Sequence, residues 1–433
     1  MECIVDCLRP AMAEQDAPDS REFLYLAEGI KEVSMINQRY KSMLAAKSVI
    51  RELAEYATAR GREIGYENVF DFSLGNPSVE APAEYNQSVI HRYQTMSSMD
   101  LHGYSPSLGN TQVRGIVADS LRRRFGIPYE TRHIFMTSGA AGAIAHAVRA
   151  VTSPGDTVLT FAPFFPEYVP YVEGAGARLE IVPARRENFQ ADTDAFLQML
   201  TPDVQAVLIN TPNNPSGALW SEETLGQIAE IMRQKEEEYG HDIFLISDEP
   251  YREIVFDGKK TPYPAAFYRN TLTCYSFSKS LSVPGERIGY VAVHPKATEA
   301  DDLALIFGQI SRGIGHNCPA STAQYGIADC IDQTSDLSVY ETNMNLLYDA
   351  LVDLGFTVTR PGGSFYIFPK CLEEDAIAFC NKAKKYDLIL VPSDHFGLPG
   401  YFRMAYCLDT DKVRQSLPVL RRFVETEYPG RFL

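Results

Sequence analysis

The sequence predicts an α/β fold in which a mostly parallel sheet is covered by helices on both faces and a smaller α+β domain completes the chain. From about residue 84 to 330, short apolar runs alternate with amphipathic helical patterns, which is typical of parallel strands buried on both faces. After about residue 330 this alternation stops. The 433 residues are enough for two domains. We expect a large domain at 84–330 and a small domain made of 1–83 and 331–433.

The first regular pattern in the chain predicts that residues 22–60 are helical. Its stretch LAAKSVIRELAEYATARG has apolar residues three and four positions apart and ends in a glycine, which predicts a helix that ends there. The segment DFSLGNPSVEAP is rich in turn residues and predicts a turn followed by extended chain.

Six apolar runs predict the strands of the sheet, and amphipathic patterns such as SEETLGQIAEIMRQKEEEY predict helices between some of them. The runs are HIFMT, TVLTF, AVLIN, IFLIS, LTCYSF and GYVAV. Ligands bind beyond the carboxyl ends of the strands in such sheets, so the residues that follow these runs are candidates for a site.

The part after residue 330 predicts the elements of the small domain. A long helical pattern precedes FTVTRPGGSFYIFPK, and a second one lies near EEDAIAFCNKAKKYD. LILVPS and YFRMAYCL then predict strands before a helix at the end of the chain.

Composition and charge exclude several classes of protein. Apolar residues make up 45% and charged residues 22% of the chain, as in ordinary globular proteins. A net charge of -16 argues against nucleic acid or an anionic membrane as a partner. We see neither a signal peptide nor a run of eighteen apolar residues. The cysteines have no zinc-like spacing, so we expect no metal site and a cytoplasmic protein; they lie at positions 3, 7, 274, 318, 330, 371, 380 and 407.

The strand HIFMT is followed by TSGAAGAIAHAV, which opens a helix with small residues. The amides of Gly139, Ala140 and Ala141, with Ser138 nearby, are able to bind a phosphate at this helix N-terminus. Small residues that let the helix pack tightly on the strand are the alternative, and the segment alone leaves both open.

Three more strand ends carry polar residues. Asn214 lies in the turn NTPNNPSG, Asp248 follows IFLIS, and Lys279 follows LTCYSF. A buried carboxylate needs a cationic partner or hydrogen-bond donors, and a desolvated lysine has a lowered pKa that makes it a better nucleophile. Ordinary loops, or a lysine that reaches solvent, are the alternatives. A phosphorylated cofactor that binds a lysine covalently and needs a carboxylate at its ring nitrogen fits all four strand ends together.

Four motifs, in this order along the chain, resemble those of the class I/II pyridoxal-phosphate-dependent aminotransferases, the aspartate aminotransferase-like enzymes of fold type I. They are NNPSG, SDEPY, SFSKSLSVPGERIGY and YFRMAY. The resemblance runs from SLGNP to the C-terminus and leaves out about the first 30 residues. It implies a seven-stranded sheet between helices, pyridoxal phosphate as cofactor, and ping-pong transfer of an amino group from an L-amino acid to a 2-oxo acid.

The resemblance assigns cofactor chemistry to four residues. Lys279 would hold pyridoxal phosphate covalently and move the α-proton of the substrate. Asp248 would pair with the ring nitrogen and keep it protonated. Tyr251 and Asn214 would hydrogen-bond the ring hydroxyl.

The remaining cofactor contacts follow from the same resemblance. Arg287, Ser276 and Ser278 would bind the phosphate beside the amides of residues 139–141. Phe165, in APFFPEY, would stack on the ring, because stacking needs only a flat aromatic face. A core aromatic is the alternative for this position.

Substrate contacts complete the implied site. Arg403 would bind the α-carboxylate with two parallel hydrogen bonds, and Gly75 and Asn214 would approach the same group. Tyr104 would cross a homodimer interface to the phosphate of the neighbouring subunit. Arg312, in SRGIGHNCP, would read the side-chain carboxylate of aspartate or glutamate; the glycines and histidine around it depart from the family pattern, so a loop role stays open.

Two other functions fit the same fold. A carbon–sulfur β-lyase would use the same lysine and cofactor, and the fold does not separate the two reactions. A regulator without activity would need an added DNA-binding domain, for which about 30 unmatched residues are too few. We expect the aminotransferase.

Overall fold

The computed structural model describes residues 36–43 and 49–431. By its internal contacts the chain divides into two units, Met1–Glu52 and Leu53–Leu433. The sheets described below belong to the second unit. The boundaries expected at residues 84 and 330 stay a prediction, because they fall within this one unit.

The structure has helices at two places within the range where the sequence predicts one, at Gln38–Met43 and Val49–Ile64. Residues 22–35 and 44–48 of that range lie outside the described residues, and residues 36–37 are not helical. The second helix does not end at Gly61, as its glycine suggests, but continues for three residues. Gly61 is buried, and a Cβ atom there would overlap the ring of Tyr66. The glycine therefore serves close packing and does not end the helix.

Fifteen helices and twelve strands form the regular structure of the described residues, numbered in chain order. The helices are α1 Gln38–Met43, α2 Val49–Ile64, α3 Ala83–Thr95, α4 Ser98–His102, α5 Thr111–Phe125, α6 Gly139–Val151, α7 Tyr168–Glu173, α8 Thr193–Met199, α9 Glu222–Tyr239, α10 Phe277–Ser280, α11 Ala300–Ile314, α12 Ser321–Ala328, α13 Ser338–Asp353, α14 Ala376–Lys384 and α15 Thr410–Glu427. The strands are β1 Phe70–Asp71, β2 Ile134–Thr137, β3 Thr157–Phe161, β4 Arg178–Val182, β5 Val204–Asn210, β6 Phe244–Asp248, β7 Thr271–Ser276, β8 Gly289–Val293, β9 Tyr366–Ile367, β10 Leu388–Ile389, β11 Val391–Pro392 and β12 Phe402–Ala405.

The central sheet has seven strands in the order β2-β8-β7-β6-β5-β3-β4. The pairs among β4, β3, β5, β6 and β7 are parallel, and β8 is antiparallel to both β7 and β2. This confirms the predicted fold class. Sequence reasoning missed one strand, Arg178–Val182, because this edge strand is mostly exposed and contains Arg178 and Glu180. Its sequence is therefore not the apolar run of a buried strand.

Burial on both faces explains why the central strands are mostly apolar. Successive side chains of a strand point to opposite faces. In β5, Ala206 and Leu208 join a core cluster that includes helix α6, whereas Val207 and Ile209 join another that includes helix α9. These four residues therefore have apolar environments on both faces of the strand.

The C-terminal residues form two smaller sheets. Strands β11, β12 and β9 are antiparallel in that order, and β1 pairs in parallel with β10. The amide of Ala405 also donates to the carbonyl of Phe72, 2.9 Å away. These pairings bring the segment after β1, which contains Gly75, next to the strand that carries Arg403.

The cysteines and the helices of the described residues complete the description of the fold. The six cysteines within the described residues are free thiols, and five of them are buried. None of the helices in the described parts of the chain is long and apolar enough to span a membrane.

The carboxyl ends of β5 and β6 are held together by one buried side chain, Asn210. Its Nδ2 donates to the carbonyl oxygen of Asp248 at 2.9 Å, and its Oδ1 accepts from the amide of Asn214 at 2.7 Å. Asn210 therefore fixes both neighbouring strand ends at the edge of the sheet where polar residues collect.

We predict that Asn210→Ala lowers the free energy of unfolding by about 2 to 4 kcal/mol, because two buried backbone groups lose their partner. Urea unfolding measures this change. The control Asn381→Ala lies on the exposed face of α14 and should change stability by less than about 0.5 kcal/mol. Equal effects of the two substitutions would contradict the role given to Asn210.

Candidate functional site

Asp248 is the last residue of β6 and is buried. The hydroxyl of Tyr168 donates to its Oδ2 at 2.6 Å, whereas its Oδ1 has no hydrogen-bond partner among the described residues. Burial raises the pKa of Asp248 to about 7; the hydrogen bond from Tyr168 opposes this shift and the charge of Glu249 adds to it. The carboxylate therefore has a free acceptor inside the protein.

Lys279 lies one helical turn beyond the end of β7, in the short helix α10, and not at the strand end itself. Its Nζ donates to the carbonyl oxygen of Gly75 and lies 5.5 Å from the ring centroid of Phe365. Burial lowers the pKa of Lys279 to about 8, and the positive charges of Arg287 and Arg403 act in the same direction. A substantial fraction of this amine is neutral at physiological pH, as a nucleophile or base requires.

Gly139, Ser276 and Arg287 lie close together at the start of helix α6. Gly139 has a φ of 76°, and a Cβ atom there would lie 3.0 Å from Arg287 Nη2 and 3.5 Å from Ser276 Oγ. The Oγ atoms of Ser276 and Ser278 are 2.7 Å apart, and the side chain of Ser138 does not cap the helix. Hydroxyls, a guanidinium and a helix N-terminus at one place suit an anion.

Arg403 is only 1% exposed, and no ion pair within residues 36–43 and 49–431 includes it. Its Nη1 donates to Asn214 Oδ1 at 3.1 Å, and its Nη2 donates to the carbonyl of Ser73. Its Nε is buried without a partner among the described residues, and burial lowers the pKa of this guanidinium. Asp71 acts on this cation only from beyond ion-pair distance, and a buried cation with no carboxylate in direct contact is costly, so a carboxylate ligand would stabilise it.

Two tyrosines in the site were missed by sequence reasoning. The guanidinium carbon of Arg403 lies 4.4 Å from the ring centroid of Tyr366. The hydroxyl of Tyr366 accepts a hydrogen bond from the hydroxyl of Tyr251 at 3.3 Å. Tyr168, besides its bond to Asp248, packs edge-on against Phe165 at 5.7 Å. Within APFFPEY and SFYIFPK nothing distinguishes these tyrosines from core aromatics, because their partners are far away in sequence.

Tyr366 also explains why residue 75 is glycine. A Cβ atom at Gly75 would overlap the hydroxyl of Tyr366. The carbonyl of Gly75 is the acceptor for Lys279, so this backbone must approach both side chains closely. Only a residue without a side chain satisfies both contacts.

Tyr104 and Arg312 have a different setting from the other predicted residues. Tyr104 is fully exposed, and Arg312 is exposed at the end of α11, where its Nη1 lies 3.4 Å from Gln309 Oε1. Neither makes a hydrogen bond to Asp248, Lys279 or Arg403 in the described part of the chain. Phe165 is half-buried.

The residues fit pyridoxal phosphate in three respects. The free Oδ1 of Asp248 offers an acceptor for a protonated ring nitrogen. The backbone, hydroxyl and guanidinium groups near Gly139 suit a phosphate, and Lys279 supplies an amine whose pKa is lowered to about 8. These are independent features of the structure, and each matches a different part of the cofactor.

Comparison with known proteins gives one family. The family described as "Aminotransferase class I and II" matches residues 67–420. Among curated proteins, "Aromatic-amino-acid aminotransferase 2" of Thermococcus litoralis is 28% identical over 401 residues, which cover 87% of this chain and 96% of that protein. "Probable aspartate aminotransferase" of Methanocaldococcus jannaschii is 26% identical over 401 residues, covering 90% of this chain and all (100%) of that protein.

Solved structures agree with the sequence comparisons. A crystal structure titled "Amino Transferase" from Eubacterium rectale has a TM-score of 0.88 and 41% identity, and the match covers 90% of this chain and 99% of that one. Aspartate aminotransferase from Thermus thermophilus with maleate has a TM-score of 0.80 at 22% identity, with the same coverage of 90% and 99%. The second likeness concerns the fold alone.

We predict that Tyr168→Phe weakens the binding of pyridoxal phosphate by about 10- to 100-fold. The substitution removes a hydrogen bond to a buried carboxylate, worth roughly 1.5–3 kcal/mol, and favours protonated Asp248 over the anion that pairs with the ring nitrogen. Fluorescence of the chain's one tryptophan, Trp220, during titration of the apoprotein measures the dissociation constant.

Tyr268→Phe is the matched control. The hydroxyl of Tyr268 is also buried and donates to the carbonyl of Ile243 at 2.7 Å, but within a different core cluster. This variant should lose stability and keep its cofactor affinity. Unchanged affinity in Tyr168→Phe would contradict the role of Tyr168.

Proposed function

The chain belongs to the class I and II aminotransferase family and is a pyridoxal-phosphate-dependent enzyme, and we propose that it transfers the amino group of an acidic L-amino acid, aspartate or glutamate, to a 2-oxo acid. One observation supports an amino-acid substrate most: Arg403 is buried without a carboxylate at ion-pair distance among the described residues, in contact with Asn214 and Tyr366 and near Lys279. The α-carboxylate of an amino acid supplies the missing negative charge.

Lys279 and Asp248 carry the proton chemistry in this proposal. The bound cofactor supplies an electron-accepting ring. Lys279 Nζ takes the proton from the α-carbon of the substrate and returns it, for which its pKa of about 8 is suited. Asp248 holds a proton at the ring nitrogen through its Oδ1, while Tyr168 keeps Oδ2 in place.

The proposed phosphate contacts lie around Gly139, and other residues contact the ring. The amides of Gly139, Ala140 and Ala141 and the side chains of Arg287, Ser276 and Ser278 bind the phosphate. Arg287 is exposed and bonds only to the carbonyls of residues 284 and 138 among the described residues, so its charge is available. Phe165 stacks on the ring, and Tyr251 and Asn214 bond its hydroxyl.

Arg403 orients the substrate in the proposed reaction. Its guanidinium is fixed by Asn214, the carbonyl of Ser73 and the face of Tyr366, so little side-chain freedom is lost on binding. The backbone of Gly75 lines the same place. Burial excludes water and strengthens the pairing of guanidinium with carboxylate.

The preference for an acidic donor draws on the relatives. Curated relatives are named for aspartate, for aromatic amino acids and for aspartate with prephenate, so aspartate recurs. Arg312 stays a candidate for the side-chain carboxylate. A carbon–sulfur β-lyase is not favoured, because the curated relatives reported above are aminotransferases.

We propose a homodimer in the cytoplasm as the working form. The full exposure of the Tyr104 side chain in the single chain supports a role across an interface, where it would reach the phosphate site of the second copy. The free thiols of the described cysteines suit a reducing compartment.

We predict that the purified enzyme shows a visible absorbance band that disappears when aspartate or glutamate is added and returns with 2-oxoglutarate or oxaloacetate. Lys279→Ala should carry no cofactor adduct that borohydride traps, because the amine is gone. Mass spectrometry after reduction measures this. An adduct of unchanged yield in Lys279→Ala would contradict the assignment of Lys279 as the residue that binds the cofactor. Formation of pyruvate and ammonia from cystathionine without an oxo acid would indicate the lyase.

We predict that Gly75→Ala lowers kcat/KM for the amino donor by at least about 100-fold, because its Cβ displaces Tyr366 or the backbone that Lys279 contacts. Steady-state kinetics measure the effect. The double variant Gly75→Ala/Tyr366→Phe lacks the hydroxyl that the Cβ meets and should recover part of the loss. If the double variant is no better than the single one, the overlap with Tyr366 is not the cause.

A further inference from the structure

A buried ion pair, Glu249 with Arg252, lies next in sequence to the predicted cofactor contacts Asp248 and Tyr251. In the sequence Asp248-Glu249-Pro250-Tyr251-Arg252, each of the two predicted cofactor contacts is followed by a charged residue. Glu249 is 0% exposed and Arg252 is 3% exposed, and Arg252 Nε donates to Glu249 Oε2 at 2.6 Å. The pair spans one turn of chain, with Pro250 and Tyr251 between its members.

Aromatic rings surround the guanidinium of Arg252. The Cζ atom of this guanidinium lies 4.4 Å from the ring centroid of Tyr275, 5.3 Å from that of Tyr263 and 5.4 Å from that of Phe125. Its Nη1 donates to the hydroxyl of Tyr290 at 3.1 Å. The charge is therefore fixed in place on several sides.

One of these rings leads to the lysine. Tyr275 belongs to β7, and its hydroxyl lies 2.9 Å from the Oγ of Ser280, the residue after Lys279. The Arg252 guanidinium thus contacts a side chain that is bonded to the helix of Lys279. The ion pair is adjacent in sequence to Asp248 and Tyr251, and it is linked to Lys279 through the ring of Tyr275 and the hydrogen bond from Tyr275 to Ser280.

Stability alone is a poor reason for this pair. Burying two charges costs several kcal/mol per ion, and an apolar pair of similar volume is often at least as stable. Arg252 Nη2 is also buried without a partner among the described residues. An ionic hydrogen bond, unlike an apolar contact, fixes the distance and direction between residues 249 and 252, and so the backbone that presents Asp248 and Tyr251.

We propose that the Glu249–Arg252 ion pair is a positioning device that sets Asp248 and Tyr251 against the cofactor ring and, through Tyr275 and Ser280, fixes the helix of Lys279. The proposal rests on the roles given above to Asp248, Tyr251 and Lys279. In this proposal, Glu249 and Arg252 contact neither the cofactor nor the substrate.

The test replaces the pair by apolar residues. Glu249→Leu/Arg252→Met should keep the melting temperature of the holoenzyme within a few degrees, because an apolar pair of similar volume holds the fold. It should bind pyridoxal phosphate at least tenfold more weakly, change the visible circular dichroism of the bound cofactor, and lower kcat more than it changes KM. Dichroism reports how the ring is held, which a purely structural pair would not affect.

A second ion pair provides the control. Arg60 and Asp387 pair at 2.8 Å in part of the chain that contributes no predicted site residue, so Arg60→Met/Asp387→Asn should leave affinity and dichroism unchanged. Wild-type affinity, dichroism and kcat in a well-folded Glu249→Leu/Arg252→Met variant would overturn the proposal.

The isosteric variant Glu249→Gln covers the case in which the double variant does not fold. It keeps an acceptor for Arg252 but weakens the bond, so affinity and dichroism should shift in the same direction by a smaller amount; unchanged values would overturn the proposal. Cofactor affinity and dichroism need no substrate, so they test the ion pair even if the wild-type enzyme fails to transaminate.

Discussion

The cost of burying unpaired charge governs the arrangement of this molecule. Asp248 and Arg403 lie inside the protein, yet neither has a partner of opposite charge at hydrogen-bond distance within the described residues. Folding leaves each with one unused polar atom, Oδ1 of Asp248 and Nε of Arg403. Such groups are tolerated where a ligand completes them, and here a cofactor with a protonated ring nitrogen and a substrate with a carboxylate do so.

The fold makes this arrangement possible by bringing strand ends together. Parallel strands place Asn210, Asp248 and Ser276 at one edge, and the pairing of the chain near residue 72 with β12 brings Gly75 beside Arg403. Close packing accounts for the glycine at residue 75, because a Cβ atom there would overlap the hydroxyl of Tyr366. Next to Asp248 in sequence, Glu249 pairs with Arg252, whose guanidinium packs against the ring of Tyr275 in β7.

Sequence reasoning works best where the signal is a local pattern. The buried strands of the central sheet follow from continuous apolar runs, whereas Asp248, Arg287 and Arg403 were chosen from motifs in fixed order, and their roles stay proposals. It missed the edge strand β4, because exposure there removes the apolar signal, and it placed Lys279 at a strand end although a helical turn intervenes.

Contacts between distant parts of the chain are a second limit. Tyr168 meets Asp248 across 80 positions and Tyr366 meets Tyr251 across 115, and neither tyrosine is marked by its neighbours in sequence. A crystal structure grown with pyridoxal phosphate tests the account most directly. We expect density continuous with Lys279 Nζ and the ring nitrogen about 2.8 Å from Asp248 Oδ1, with Tyr168 still on Oδ2. A ring nitrogen directed away from Asp248, or a protein carboxylate paired with Arg403, would contradict it.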